Sequence, residues 1–407
     1  MRIAYLCLEP QQSRFHISGY AVHLNAMTGA FQRAGHEVNV IVLGEWLGRQ
    51  QVAGSAAGRQ GPSFKGLAKQ AIPNLLWETA KDLRVISYDH RFFRRYKEAI
   101  LSFRPDVIYE QTAFLATDGR KIAEEARIPR MAELHAPMVE ERCRDGRNSL
   151  LSGHATRVET RNLMSARRIR TVSSPLKANL VARGIPAERI IVQPNGVDAD
   201  KFRPDSSDGD RIRRQHGLAG KIVFGFAGSF FKWHRIDSLI RGFSLARRDC
   251  PDSALLIVGD GEGSRELRGL AAELGCAESV AFTGNVPYSE MQAYYAGMDI
   301  CCMAGTAWYC SPLKLLEYGA MRKPIIAPDT AAVRDIMEPE RDGLMVPPGD
   351  DHAVAAAMCA LYADAQLRDK LANLFHGKVL QQYTWDKVAG NILRQLESIA
   401  GSDRGAV

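Results

Sequence analysis

The chain opens with short apolar runs that alternate with stretches of helical spacing. Runs at 3–8 and 38–43 flank a stretch from 20 to 34 in which Leu24 and Phe31 share one helical face. Gly35 is suited to end that helix. A β-α-β unit of this kind predicts a parallel sheet covered by helices. Later runs predict strands at 106–109, 131–134, 169–172 and 190–192, with helices at 94–103 and 118–126.

The alternation starts again after about residue 200. Strand-like runs occur at 222–227, 254–258, 279–282, 300–303, 325–327 and 344–346, and helical stretches separate them. Two such series predict two doubly wound α/β domains that bind ligands at the carboxyl ends of their strands. We expect a first domain over 1–198, completed by a C-terminal helix within 384–407, and a second over 199–383. The Gly- and Ser-rich segment 44–70 lacks periodicity and predicts a mobile loop or insertion.

Length and composition agree with a soluble two-domain protein. The 407 residues are 46% hydrophobic and 24% charged. No run approaches the ~18 apolar residues of a membrane span, and the first apolar run ends at Glu9 and Pro10 without a signal-peptide cleavage pattern. A cytoplasmic location is therefore expected. The eight cysteines lack C-x-x-C spacing, which favours reduced thiols over a zinc site or disulfides.

The formal net charge is +7, and its clusters fall in the first half of the chain. They comprise Arg91, Arg94, Arg95 and Lys97, then Arg142, Arg144 and Arg147, then Arg167, Arg168 and Arg170. These clusters are either solvated helix faces or a surface that contacts an anionic membrane or acceptor. Nucleic acid is not an expected partner, because only the net charge would support it.

A run of motifs in fixed order carries a family resemblance. Residues 192–198 read V-Q-P-N-G-V-D and are followed by Phe202 and Pro204. The other landmarks are Gly19, 35–38 (G-H-E-V), 105–108 (P-D-V-I), 227–229 (A-G-S), 258–261 (V-G-D-G), 282–284 (F-T-G) and 311–318 (S-P-L-K-L-L-E-Y). Over about residues 3–390 this set resembles the retaining family-4 glycosyltransferases. The resemblance implies the GT-B fold, in which two Rossmann-like domains face a central cleft and the last helix returns to the first domain.

The same resemblance implies a function. Such enzymes transfer a sugar from a nucleoside diphosphate sugar to a glycan, lipid-linked or other hydroxyl acceptor and retain the anomeric configuration. In these enzymes the acceptor hydroxyl attacks the anomeric carbon from the face that the phosphate leaves, and the leaving phosphate helps to deprotonate the acceptor. No cofactor or metal is expected beyond the donor substrate, since cationic groups take the place of a metal.

The predicted helix 313–321 is the main candidate for binding the donor diphosphate. A departing diphosphate gains negative charge and needs cations or N–H donors. Ser311, Pro312 and Leu313 form the entry of this helix, whose free N–H groups attract anions, and Lys314 adds a full charge. A merely well-capped helix is the alternative. Glu317 lies one turn on; the resemblance assigns it to the ribose diol, and a salt bridge to Lys314 is the alternative.

The sequence departs from the family pattern at three places. Tyr309 stands where many members have a first glutamate, and after Gly228 the usual arginine and lysine are Ser229 and His234. The turn resembles a G-S-F-x-x-W-H-G variant. We hypothesise that Lys314, the loop N–H groups, and Ser229 or His234 replace the missing pair. The departures keep one alternative open, a catalytically inactive nucleotide-sugar-binding protein. A second alternative, an epimerase or phosphorylase of the same fold, would need other site patterns.

The remaining candidates follow predicted strands. His135 follows 131–134; a lone histidine there is more often structural, but the resemblance makes it face donor sugar and acceptor, so it is predicted catalytic together with Lys314. Gly19 is predicted to let a phosphate or sugar approach the backbone, with a simple turn as the alternative. Gly284, Asn285 and Val286 are predicted to contact the nucleotide base through their backbone.

Overall fold

The computed structural model describes residues 1–15, 19–48, 73–204 and 208–401. The chain divides into two compact units, Met1–Gln193 with Ala389–Val407, and Pro194–Val388. The sequence predicts divisions after residues 198 and 383, and the two units divide after 193 and 388. Most of the segment predicted to be a loop or insertion, 49–70, lies outside the described residues, but its first residues belong to a short helix, Leu43–Trp46.

The first unit holds a six-stranded sheet in the order β2-β1-β3-β4-β5-β6. All its neighbouring strands pair in parallel. The strands are β1 Arg2–Cys7, β2 Glu37–Val42, β3 Val107–Gln111, β4 Arg130–Leu134, β5 Arg168–Thr171 and β6 Ile190–Val192. The helices are α1 Gly19–Arg33, α2 Leu43–Trp46, α3 Asn74–Phe103, α4 Asp118–Ala126, α5 Met138–Arg144, α6 Ser152–Met164 and α7 Ser174–Ala182.

Apolar burial explains most of these elements. Residues 3–7 of β1 are buried, as expected for a strand covered on both faces. Helix α1 buries Leu24 and Phe31 on the predicted face. Helix α3 is much longer than the predicted 94–103. The prediction falls short because several buried positions of the helix are acidic (Glu78, Asp82, Asp89), so its first part shows no apolar periodicity.

The second unit holds the other six-stranded parallel sheet, in the order β12-β11-β10-β7-β8-β9. Its strands are β7 Ile222–Ala227, β8 Ser253–Val258, β9 Val280–Phe282, β10 Ile300–Cys302, β11 Ile325–Pro328 and β12 Leu344–Val346. Its helices are α8 Gly209–Gln215, α9 Ile236–Ala246, α10 Ser264–Glu273, α11 Met291–Ala296, α12 Leu313–Ala320, α13 Ala331–Arg334, α14 Asp351–Ala363 and α15 Ala365–Gln382. The prediction of two doubly wound parallel-sheet domains is confirmed.

The last helix, α16 Trp385–Gly401, starts in the second unit, and its residues from Ala389 belong to the first. None of the helices in the described ranges is both long and apolar enough to span a membrane. All eight cysteines lie in described residues and are free thiols, as the sequence predicts.

Candidate functional site

The loop after β7 brings the backbone of the second unit close to a lysine. Gly228 has φ +143°, and its N–H donates to the Val258 carbonyl at 2.9 Å. A β-carbon at Gly228 would lie 2.5 Å from Nζ of Lys314, the second residue of α12. This position therefore requires glycine both for its dihedral angle and for the approach of the lysine.

Lys314 is held by a histidine of the same loop. Its Nζ lies 3.1 Å from Nε2 of His234, whose Nδ1 lies 2.7 Å from the Ser229 carbonyl oxygen. A carbonyl only accepts hydrogen bonds, so Nδ1 carries the proton and Nε2 accepts from the ammonium. The ammonium also stands over the Phe226 ring, 4.4 Å from its centroid.

Burial shifts the pKa of both groups downward. It lowers the pKa of Lys314 to about 7, although Cys310 and Glu317 act in the opposite direction. Burial, followed by the charge of Lys314, lowers the pKa of His234 to about 3. His234 is thus neutral near pH 7, while an arriving anion would favour the charged form of Lys314. When Lys314 is protonated, the pair carries one positive charge, and no carboxylate among the described residues forms an ion pair with it.

The P-N-G motif braces the entry of α12. The Asn195 N–H donates to Ser311 Oγ at 3.0 Å, and its side-chain amide donates to the Ser311 carbonyl at 2.9 Å. Pro312 is the N-cap and Leu313 the first residue of the helix, with no side chain capping it. Ser311 is buried and engaged with Asn195, so it fixes the helix entry. This bracing role of Asn195 was not predicted.

Glu317 is held by two tyrosines. The Tyr288 hydroxyl donates to Oε1 at 2.8 Å, and the Tyr295 hydroxyl donates to Oε2 at 2.6 Å. Burial raises the pKa of Glu317. The hydrogen bonds from the two tyrosines, together with the positive charges of the nearby Lys201 and Lys314, counteract that rise. The predicted alternative, a salt bridge to Lys314, does not form. Each carboxylate oxygen keeps a lone pair for a further donor, such as a sugar hydroxyl.

Sequence reasoning missed both tyrosines. They lie in a segment whose aromatic residues have the spacing of a helix core, and Tyr295 does pack there, 2% exposed. Nothing in the sequence relates them to Glu317, which comes 22 or more positions later.

The loop after β9 leads directly to Tyr288, the first residue of a short 3₁₀ helix. Gly284 has φ +72°, and its carbonyl accepts from the Gly259 N–H at 3.1 Å and from Thr283 Oγ1 at 2.8 Å. Asn285 is exposed, and Val286 is half-buried against the core. The backbone oxygen of Gly284 is thus already engaged within the protein, and Asn285 is the most exposed of the three residues predicted to contact a base.

In the first unit, His135 follows β4 and lies near the start of α1. Gly19 is the first residue of that helix and is exposed. The ring of Tyr20 lies 5.4 Å from that of His135, and the ring of His23 lies 4.6 Å away. The structure therefore brings the predicted residues Gly19 and His135 to one place at the carboxyl edge of this sheet.

His135 belongs to a buried cluster, which we call the Glu133 cluster (His23, Glu133, His135, Arg170). The sequence does not predict that the other three residues lie beside His135. Glu133 contacts the Arg170 guanidinium directly, and its Oε1 lies 3.0 Å from His23 Nε2 and 3.3 Å from His135 Nε2. Burial lowers the pKa of His135 to about 4 and that of His23 well below its usual value. Both imidazoles are therefore neutral near pH 7.

The Glu133 cluster has the residue types of a metal site, with ligand atoms of His23, Glu133 and His135 all within 4.8 Å of one another. The Arg170 guanidinium, however, already provides the positive charge that Glu133 requires, and it would repel a divalent ion. The arrangement is that of a buried ion pair flanked by two neutral histidines.

This cluster also corrects the basic surface expected from the sequence. Arg170 is fully buried. Arg142 is largely buried as well and donates to Asp82 at 2.7 Å. Arg170 therefore does not belong to the surface, and the charge of Arg142 is already paired with a carboxylate.

Two family models match the chain. "Glycosyltransferase Family 4" matches residues 17–201, and "Glycosyl transferases group 1" matches residues 221–364. Together they take in most of both units. The chain belongs to the family-4 glycosyltransferases. The predicted resemblance is thereby confirmed.

Named relatives of this family-4 chain include mannosyltransferases. A GDP-mannose-dependent alpha-(1-6)-phosphatidylinositol monomannoside mannosyltransferase of Mycolicibacterium smegmatis is 32% identical over 42% of the chain and 46% of that protein. A GDP-mannose-dependent alpha-mannosyltransferase of the same organism is 29% identical over 74% of the chain and 75% of that protein. The matched region spans about half the length of the first of these relatives.

Solved structures support the GT-B fold predicted for this family-4 chain. HepE of Anabaena, in complex with UDP and glucose, has a TM-score of 0.72 at 19% identity. The match covers 98% of this chain and 100% of the HepE chain. Sucrose-phosphate synthase of Thermosynechococcus elongatus has a TM-score of 0.70 at 19% identity, covering 98% of the chain and 99% of its own.

Proposed function

We propose that this chain transfers a sugar from a nucleoside diphosphate sugar to a hydroxyl acceptor. The observation that carries the proposal is the Lys314 ammonium, held by neutral His234 beside Gly228 at the entry of α12. A leaving diphosphate accumulates negative charge as the glycosidic bond breaks, and a preorganised cation beside free helix N–H groups stabilises that charge.

We further propose that the reaction retains the anomeric configuration and needs no metal. The acceptor oxygen forms its bond to the anomeric carbon on the face that the phosphate leaves, and its proton passes to the departing phosphate oxygen. Family membership supports this course. Glu317 is an unsuitable nucleophile, because tyrosine hydroxyls hold both its oxygens and its place suits the ribose diol. Turnover that survives a chelator is the expected result.

The donor and acceptor are proposed from the named relatives. GDP-mannose and a glycolipid acceptor are supported by the phosphatidylinositol monomannoside mannosyltransferase, whereas the Anabaena neighbour was crystallised with UDP. We propose that His135 acts on the acceptor side. Peripheral contact with an anionic membrane, at its cytoplasmic face, is supported by Arg91, Arg94 and Arg95, which are exposed on α3, and flotation with anionic vesicles tests it.

The central experiment is a titration with UDP, GDP and ADP, followed by incubation with the sugar derivative of the nucleotide that binds. We expect slow hydrolysis of the donor, and a loss of binding of about 10- to 100-fold in Lys314→Ala, the range of a charged hydrogen bond. Lys370→Ala, an exposed lysine of α15, is the matched control. Tight nucleotide binding without hydrolysis or transfer would support the inactive binding protein instead.

A further inference from the structure

The loop that holds Lys314 also carries an exposed aromatic pair. The rings of Phe231 and Trp233 stack with centroids 4.4 Å apart and planes 14° from parallel. Phe231 is 50% exposed, while the preceding Phe230 is buried at 6%. One of two consecutive phenylalanines thus packs into the core and the other presents its ring to solvent.

The loop is braced in this conformation. The Phe231 N–H donates to the Ser229 carbonyl at 2.9 Å, and the His234 N–H donates to the Phe231 carbonyl at 2.9 Å. Gly305, after β10, approaches Trp233 so closely that a β-carbon there would lie 2.5 Å from the Trp233 carbonyl oxygen. An exposed aromatic ring on a fixed loop loses little conformational freedom when it binds a ligand.

The pair lies next to the proposed diphosphate site. The ring of His234 is 6.0 Å from Phe231 and 6.2 Å from Trp233, and its Nε2 is in contact with Lys314. Glu317, proposed to bind the ribose, lies one turn further along α12. In a nucleotide sugar the diphosphate joins the ribose to the sugar. With Glu317 at the ribose and Lys314 at the diphosphate, the sugar is the next group toward the loop.

We propose that Phe231, backed by Trp233, is the stacking platform for the sugar ring of the donor and contributes to donor specificity. This inference rests on the proposed function. A pyranose has a face of C–H groups that packs on an aromatic ring, removing apolar surface of both from water. Lys232, between the two rings in sequence and exposed, leaves the rim of the platform polar.

The test compares each nucleoside diphosphate with its own sugar derivative: UDP with UDP-glucose, and GDP with GDP-mannose. Phe231→Ala should weaken binding of the nucleotide sugar by about 5-fold, the scale of an aromatic contact, and leave binding of the bare nucleotide unchanged. Phe231→Tyr keeps the ring and should restore wild-type affinity. Leu245→Ala, at a leucine that is 47% exposed on α9, should change neither affinity.

The outcomes separate this inference from the function beneath it. Equal weakening of nucleotide and nucleotide sugar, or no change in either, would overturn the platform while leaving the donor site standing. A change confined to the KM of the acceptor would also overturn it, because the ring would then serve the second substrate. Absence of nucleotide binding in the wild-type protein would overturn the function and the inference together. Unchanged melting of Phe231→Ala shows that the variant is folded.

Discussion

The Lys314 ammonium lies 3.1 Å from Nε2 of His234, and the other nitrogen of that ring lies 2.7 Å from the Ser229 carbonyl oxygen. A neutral imidazole positions the lysine without neutralising it, whereas a carboxylate in its place would pair with the charge. Ser229 and His234 stand where the family resemblance leads us to expect an arginine and a lysine, and this geometry is compatible with the hypothesis that Lys314, the loop N–H groups, and Ser229 or His234 replace that pair.

Substitutions of His234 test this positioning role. His234→Gln keeps an acceptor for Lys314 and should weaken nucleotide-sugar binding by only about 2-fold, whereas His234→Ala should weaken it by about 10-fold. His234→Glu should be the most damaging, because its carboxylate would pair with Lys314 and repel the diphosphate. Calorimetric titration measures the three affinities. A Glu variant that binds as well as the Ala variant would contradict the proposed role.

Donor binding should depend on pH through Lys314. Its pKa in the free protein is about 7, so the ammonium is present below that pH and is lost as the pH rises. A bound diphosphate stabilises the protonated lysine, and linkage then requires affinity to fall above pH 7, by about 10-fold between pH 6 and 8.5. His234, with a pKa of about 3, does not titrate in this range.

The measurement should use a nucleotide sugar, because its diphosphate is substituted at both ends and lacks the phosphate proton that titrates at about pH 6. Lys314→Ala is the control and should bind weakly with a flat profile. A wild-type profile that is equally flat would show that Lys314 does not contact the diphosphate.

The sequence was sufficient for the sheets and for α12, and insufficient for what holds the site in place. Parallel strands such as Ile222–Ala227 are buried on both faces, so their apolar runs are visible in the sequence. The predicted helix 313–321 ends one residue beyond the observed helix. The partners of Glu317 and Lys314 come instead from loops and helices 22 or more residues away, and no local pattern encodes such pairs.

Charged residues inside the first unit misled the sequence interpretation in two ways. The buried acids of α3 concealed most of a 30-residue helix. The charge pattern groups Arg170 with Arg167 and Arg168, although Arg170 is buried against Glu133. A charge pattern alone does not distinguish a solvated arginine from one whose carboxylate partner comes from a neighbouring strand.

Glu317 should accept hydrogen bonds from the ribose hydroxyls of the donor. Glu317→Gln replaces one acceptor oxygen by a donor, so the variant should lose most of the preference for a nucleoside diphosphate over its 2′-deoxy analogue, about 10-fold in the wild type. Tyr295→Phe removes one hydroxyl that holds the carboxylate and should lower this preference less. Competition binding with the two analogues measures the preference. A wild-type protein that binds both equally well would remove Glu317 from the ribose site.

The buried ion pair of Glu133 and Arg170 should contribute more to the free energy of unfolding of the first unit than a more exposed pair does. Glu133→Gln leaves the guanidinium buried without an anionic partner, which costs about 3–5 kcal/mol. Glu45→Gln is a comparison at the more exposed pair with Arg14 and should cost less than about 1 kcal/mol. Urea unfolding, followed by a probe in the first unit, measures both. Equal costs for the two variants would show that burial of Arg170 is not what makes this pair matter.

A substitution of Gly228, compared with one of Gly275, distinguishes the effect of backbone strain from the effect of displacing Lys314. Gly228→Ala forces a side chain into φ +143° and places its β-carbon 2.5 Å from Nζ. Gly275 has φ +66°, and a β-carbon there meets nothing within 4 Å, so Gly275→Ala reports backbone strain alone. Both variants should lose stability, each by about 1 kcal/mol or more. Only Gly228→Ala should also weaken donor binding, by about 10-fold or more, because the ammonium must move from the place where it meets the diphosphate. Equal donor affinities in two variants that are both folded would mean that the approach of Lys314 to Gly228 does not matter for binding.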